Sequence, residues 1–168
     1  MTYTIFNNTA GLPALTTSLL AAENADKASA LGLIVQASDE TLGSGEFVYL
    51  KGLAATVVGS WVTYNSADNT TALLAANAIG PVAVAMSINL AGSFGWYQIS
   101  GLATGLALVG FVDNANVYAT ATAGSVDDAI VAGDRVKLAK GASAVGTPVA
   151  GSAYFEIHRP FMDDGIAA

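Results

Sequence analysis

Short runs of strand-forming residues, each closed within a few positions by glycine or by an Asn/Asp/Ser turn, constrain this chain more than any other feature. Phe47-Val48-Tyr49-Leu50 stops at Lys51-Gly52, and Trp61-Val62-Thr63-Tyr64 lies between Gly59-Ser60 and Ser66-Ala67-Asp68-Asn69. Val82–Ile88 follows Gly80-Pro81, and Trp96–Ile99 sits between Gly95 and Gly101. β-Branched and aromatic residues favour a pleated chain, and runs this short are too often interrupted for stable helices. Leu31–Ala37, Ala107–Val112, Val117–Thr122, Asp134–Leu138 and Tyr154–Ile157 are further strand candidates. Val57-Val58 and Trp61–Tyr64 flank a turn at Gly59-Ser60, which predicts a tight connection between two strands. Roughly nine or ten short strands result, the pattern of a compact all-β barrel or sandwich. The 18 glycines fit it, because turns and bulges need backbone angles that other residues avoid. Abundant alanine with few large side chains predicts thin, closely packed layers in place of one deep core.

The length fits one domain with a short appended arm. The β domain is expected over residues 31–168, ending in a short C-terminal tail, and residues 1–30 have a different texture. Tyr3-Thr4-Ile5-Phe6 alternates polar and apolar and predicts a strand or extended arm. Leu12, Leu15, Leu19 and Leu20 recur at helical spacing, with Pro13 near the start, whereas Thr16-Thr17-Ser18 opposes a helix. A short helix and an arm that orders on a partner both remain open for this stretch.

Charge is scarce. Hydrophobic residues make up 53% of the chain and charged residues only 11%, against about 25% charged in an ordinary soluble domain. Most residues of a domain this size lie at or near its surface. The missing charge is therefore replaced by Thr, Ser, Asn and Gly, or by another copy of the chain, and a homo-oligomer is expected. The net charge is −7, and of the six basic residues only Lys27 and Lys51 precede Arg135. No basic stripe forms before Arg135, Lys137, Lys140 and Arg159, which argues against direct nucleic-acid binding. The absence of cysteine excludes disulfides, thiolate metal sites and cysteine nucleophiles. MTYTIFNNTAG has neither the basic region nor the apolar core of a signal peptide. The longest apolar tract, Ala72–Gly95, is broken by Asn77, Gly80-Pro81, Ser87 and Asn89, so two strands joined by a turn explain it better than a membrane helix. The expectation is a chain neither secreted nor membrane-embedded.

Gly45-Glu46-Phe47-Val48-Tyr49-Leu50-Lys51-Gly52, followed by Gly59-Ser60-Trp61-Val62-Thr63-Tyr64-Asn65, resembles the head decoration, or capsid cement, proteins of tailed bacteriophages. Gly80-Pro81-Val82-Ala83-Val84-Ala85, Gly95-Trp96-Tyr97-Gln98-Ile99-Ser100-Gly101 and Ala132-Gly133-Asp134-Arg135-Val136 continue the resemblance in the same order. It spans about residues 31–164 and rests on the ordered combination of these pieces. The resemblance implies a small β-rich protein, usually trimeric, that binds the phage major capsid protein on the outside of an expanded virion shell and reinforces it. It implies no cofactor and no chemistry.

The residues offer little from which to build a catalyst. His158 is the single histidine, beside Glu156 and Arg159 and near Asp163-Asp164. A general base oriented by a carboxylate would need this grouping, and a histidine at the end of a strand is the plainer expectation. Asp127-Asp128 and Asp163-Asp164 lack the shaped set of six or more oxygens that calcium requires, and they read as turns. Gly101-Leu-Ala-Thr-Gly105 lacks the Lys-Ser/Thr ending of a phosphate-binding loop. Trp61, Trp96 and Tyr97 read as core anchors; as an exposed platform they would instead support a carbohydrate-binding or adhesion module. No catalytic, cofactor or metal residue is assigned. Tyr3, Phe6, Phe155, Phe161 and Met162 are candidate contacts with a capsid or a neighbouring subunit, because large apolar groups near the termini are hard to bury in a monomer, and Leu12 and Leu15 join them.

Overall fold

The computed structural model describes the backbone of residues 2–5, 15–16 and 29–163 and the side chains of residues 29–162. Among the described residues the chain is all-β and contains no helix. Strands β1 (Thr2–Ile5), β2 (Leu15–Thr16), β3 (Ile34–Asp39), β4 (Gly43–Lys51), β5 (Trp61–Tyr64) and β6 (Thr71–Leu73) form its first half. The second half holds β7 (Ile79–Ala85), β8 (Phe94–Leu106), β9 (Asn116–Ala119), β10 (Val126–Asp127), β11 (Arg135–Gly141) and β12 (Ser152–Asp163). They form one antiparallel sheet in the order β10-β9-β11-β12-β7-β8-β4-β3-β1-β2, with β5 and β6 branching from β7. The sheet is not closed, so the barrel among the expected architectures is not adopted.

The longest strand, β8, is the spine. Its first half, Phe94–Ser100, pairs with β4, and its second half, Ser100–Leu106, pairs with β12. The first half also pairs with β7, Val84 opposite Gln98 and Ala85 opposite Tyr97. The other end of β7 pairs with the end of β12, Pro81 opposite Phe161 and Gly80 opposite Met162. Strands β7, β8 and β12 thus meet at a three-way junction. Gly101 lies beside it in a left-handed conformation (φ 101°), where an added Cβ would stand 2.5 Å from the Ser44 carbonyl oxygen. Only glycine satisfies both demands.

Side-chain alternation around the junction divides the interior into three clusters. Val82 and Val84 of β7 face a cluster with Trp61, Phe111, Phe155, Ile157 and Met162. Ala83 and Ala85, on the opposite face, join Val48, Leu50, Val62, Tyr97 and Ile99. Phe47 and Tyr49 of β4 pack with Trp96 on a third face. The alanines of β7 let the two faces approach closely, which accounts for several thin layers where a strand of larger residues would separate them.

Two expectations are corrected, and one that was open is narrowed. Val57-Val58 is not a strand: Ser60 N–H donates to the Val57 carbonyl at 3.0 Å in a turn that leads into β5. Ala107–Val112 is not a strand either, because Phe111 N–H donates to the Leu108 carbonyl and closes a turn. Leu15-Thr16 is extended and paired with Thr2-Tyr3, not helical; the rest of the leucine-spaced stretch lies outside the described residues.

Candidate interaction surfaces

The turn after β8 exposes what its sequence would ordinarily bury. Ala107 and Phe111 are buried, and the Phe111 ring packs tilted against Phe155 at a centroid separation of 5.1 Å. Between those anchors Leu108-Val109-Gly110-Phe111 turns through Gly110, whose φ is 106°. Val109 is carried to the outside and is 96% exposed. A second loop lies against the first: Leu108 N–H donates to the Val126 carbonyl at 2.9 Å, and Val112 N–H donates to Asp128 Oδ2 at 3.0 Å. It carries Ile130, 84% exposed, and exposed Val131. Val109, Val112, Ile130 and Val131 are therefore exposed on two adjoining segments that also carry Asp113, Asp127 and Asp128. No Lys or Arg occurs between residues 52 and 134.

A different exposed surface lies across β11, β12 and β7. Lys137, Phe161 and Pro81 stand opposite one another in three adjacent strands. The residues directly opposite share a face, so Met162 points to the other side. Phe161 is 41% exposed, and Ile79, two residues before Pro81, is exposed on the same face. Tyr64, Ile79 and Pro81 also line an open groove of about 410 Å³ with Thr63, Asn65 and Thr70. Burial pushes the Tyr64 phenol above its ordinary pKa.

The β11–β12 ladder breaks within this surface. Lys137 pairs with Phe161 and Ala139 with Ile157, leaving Leu138 opposite His158, Arg159 and Pro160. Leu138 (φ 60°) and Arg159 (φ 50°) both take left-handed backbone conformations there. Leu138 is exposed, and Arg159 reaches across to Glu46, its Nε donating to Oε2 at 2.9 Å. That guanidinium holds the Glu46 carboxyl below its ordinary pKa. Arg135 donates to the neutral Asn116 amide oxygen at 2.8 Å, and Lys140 lies 3.3 Å from Glu156.

The anticipated contact residues separate. Phe161 is exposed as expected, but Phe155 and Met162 are fully buried in the cluster with Trp61 and are corrected from contacts to core residues. Tyr3 and Leu15 are brought directly opposite each other by the β1–β2 pairing. Phe6 and Leu12 lie outside the described residues. Sequence reasoning missed Val109, Ile130 and Leu138. Gly110, following an apolar pair, was the available signal for the first.

The remaining candidates settle into structural roles. Trp61, Trp96 and Tyr97 are buried, so none offers a stacking platform. His158 is exposed, while Glu156 beside it pairs with Lys140 in place of orienting the imidazole. Asp127 Oδ1 accepts from Asp128 N–H, and Asp128 ties the two tip loops together. Among the described residues no group of three or more His, Cys, Asp or Glu side chains gathers where a metal ion could be held. Comparison with family models, curated proteins and solved structures found no match.

Proposed function

We propose that this protein is a structural virion component that binds the outer surface of a tailed-phage capsid and stabilises the expanded shell, acting as a homo-oligomer, preferably a trimer. The observation that carries the proposal is the placement of exposed apolar groups. Val109, Ile130, Ile79, Leu138 and Phe161 stand outside a sheet that already buries its larger aromatics. Clustered apolar side chains at a surface favour contact with another protein. The ordered resemblance of residues 31–164 to head decoration proteins supplies the identity of the partner, the phage major capsid protein.

The physical action is linkage. A ligand that binds the expanded shell and not its dissociated subunits stabilises that shell by mass action. An oligomer strengthens the effect, since one docked subunit holds the others at high effective concentration. Neither step needs a cofactor or a reaction. The buried positions of Trp96 and Tyr97 remove the stacking surface that a carbohydrate-binding or adhesion module would use.

The test compares phage particles prepared with and without the protein, heated or stripped of divalent cations. Particles that lack it are expected to release DNA at lower temperature. Equal DNA retention by both preparations contradicts the proposal.

A further inference from the structure

We infer that the fork where β5 parts from β7 is a binding site for an extended, uncharged peptide segment of a partner protein, which adds to the sheet by main-chain hydrogen bonds. This site is independent of the capsid proposal, and either can fail alone.

A proline opens the fork. Strands β5 and β7 pair Trp61 with Val84, Val62 with Ala83 and Thr63 with Val82. The next partner of Tyr64 would be Pro81, which has no N–H to give the Tyr64 carbonyl, and the ladder stops there. On its other edge β7 stays paired, Pro81 with Phe161, Gly80 with Met162 and Ile79 with Asp163. β5 meanwhile closes its hairpin with β6, Asn65 N–H donating to the Thr70 carbonyl at 3.0 Å. The groove of about 410 Å³ lies between the diverging strands.

Main-chain direction makes this groove an unfinished part of the sheet. Ala85 N–H donates to the Ser60 carbonyl at 2.8 Å, so the odd-numbered residues of β7 turn their main-chain groups towards β5. The N–H and C=O of Ile79 therefore face the side from which β5 has withdrawn. Ser66, the residue that would stand opposite, belongs to the hairpin turn. An extended chain lying in the fork can exchange the two hydrogen bonds that β5 does not supply. Gly80 keeps the floor open: its φ is 133°, and a Cβ built on it would meet only the Tyr64 carbonyl oxygen, 3.8 Å away. Thr63, Ser66 and Thr70 line the groove with hydroxyls, and Asn65 adds an amide whose oxygen already accepts from the Ala67 N–H at 2.9 Å. Among the described residues no charged side chain lines it, so a charged group entering would lose hydration without gaining a counter-ion. Ile79, 69% exposed, offers apolar contact to a side chain of the added strand. A sugar lacks the pleated repeat of donor and acceptor that Ile79 calls for, which favours a peptide.

Panning a library of random linear heptapeptides on the immobilised full chain tests this without any capsid. Selected peptides are expected to be poor in charge, and a bound one should slow exchange of the Ile79 amide at least about tenfold. Ile79→Pro removes that N–H and Ile79→Val keeps it, while Ala72→Arg fills the groove from an exposed position on β6. The proline and arginine variants should each weaken peptide binding at least about tenfold, and the valine variant should bind like wild type. Circular dichroism checks the fold, and Ala72→Trp replaces either variant if it unfolds. Selection of no peptide, undiminished binding by the proline and arginine variants, or protection only at other amides would each overturn the inference. Protection of Ile79 that appears in the protein alone, and only at high concentration, assigns the fork to a second copy and overturns it too. Failure to stabilise virions would bear on the capsid proposal alone.

Discussion

Leu138 and Arg159 occupy the same irregularity in the β11–β12 ladder, both with left-handed backbones, and they send their side chains to different tasks. Arg159 crosses to Glu46 on β4 and ties β12 to the far side of the junction. Leu138 has no comparable use within its own copy. The extra residues opposite Leu138 let β12 leave β8 and continue along β7, so the bulge belongs to the fold while its leucine does not.

Replacing Leu138 should therefore stabilise a single copy. Leu138→Asn is expected to gain roughly 0.5–1 kcal/mol, because asparagine tolerates the left-handed region. Urea unfolding midpoints measure this. A β-branched replacement, Leu138→Val, should shift the midpoint the other way.

Gly105 passes directly beneath Trp61. A Cβ at that position would lie 2.6 Å from Trp61 Nε1 and 3.2 Å from Phe155 Cδ2. The Trp61 indole N–H is buried and has no hydrogen-bond partner among the described residues, so close packing takes precedence there over polar satisfaction. Trp61 and Phe155 meet edge to face at 4.9 Å. Gly105→Ala should cost about 1–3 kcal/mol by overpacking, read from denaturant unfolding followed by tryptophan fluorescence.

Tyr97 makes stability depend on alkaline pH. Burial pushes its phenol up to about 12, against an ordinary 10, while the hydroxyl accepts from Asn89 Nδ2 at 3.0 Å. The neutral form is favoured by folding, so the contribution is fully present below pH 10 and is lost as pH rises through about 12. The loss should be on the order of 2 kcal/mol. Tyr97→Phe should flatten the alkaline limb of a stability curve measured from pH 8 to 12, whatever its cost at neutral pH.

Glu46 gives the opposite dependence. Its carboxyl is held below the ordinary 4.5, first by the hydrogen bond from Arg159. The contribution is present above pH 4.5 and disappears as pH falls through the lowered value. Arg159 is largely exposed, so the effect is small. Wild type should exceed Glu46→Gln in stability at pH 7, and the two should converge in acid, as followed by thermal unfolding.

Much of the sheet was legible where its strands alternate, although β8 runs straight through Gly95 and Gly101, which read in sequence as strand ends. Phe47–Leu50, Trp61–Tyr64 and Trp96–Ile99 all fall inside strands, and the aromatic residues in them are buried as core anchors. The two- and three-residue strands β10 and β6 left no pattern to find. Ala107–Val112 misled because a continuous apolar run ordinarily signals a buried strand, whereas here Gly110 turns Val109 outward. Phe161 and Met162 were grouped as contacts by proximity to the terminus. Strand alternation sends one out and the other in. Leu138 was invisible in sequence, since its exposure comes from a register shift set by the partner strand.

The most direct test of the proposed cement role is an image reconstruction of purified tailed-phage virions prepared with this protein. The account predicts regular density on the outer surface of the expanded shell, large enough for several copies of the sheet at each site, and absent from particles made without the protein. A shell with no such density, or virions that do not contain the protein, would contradict it.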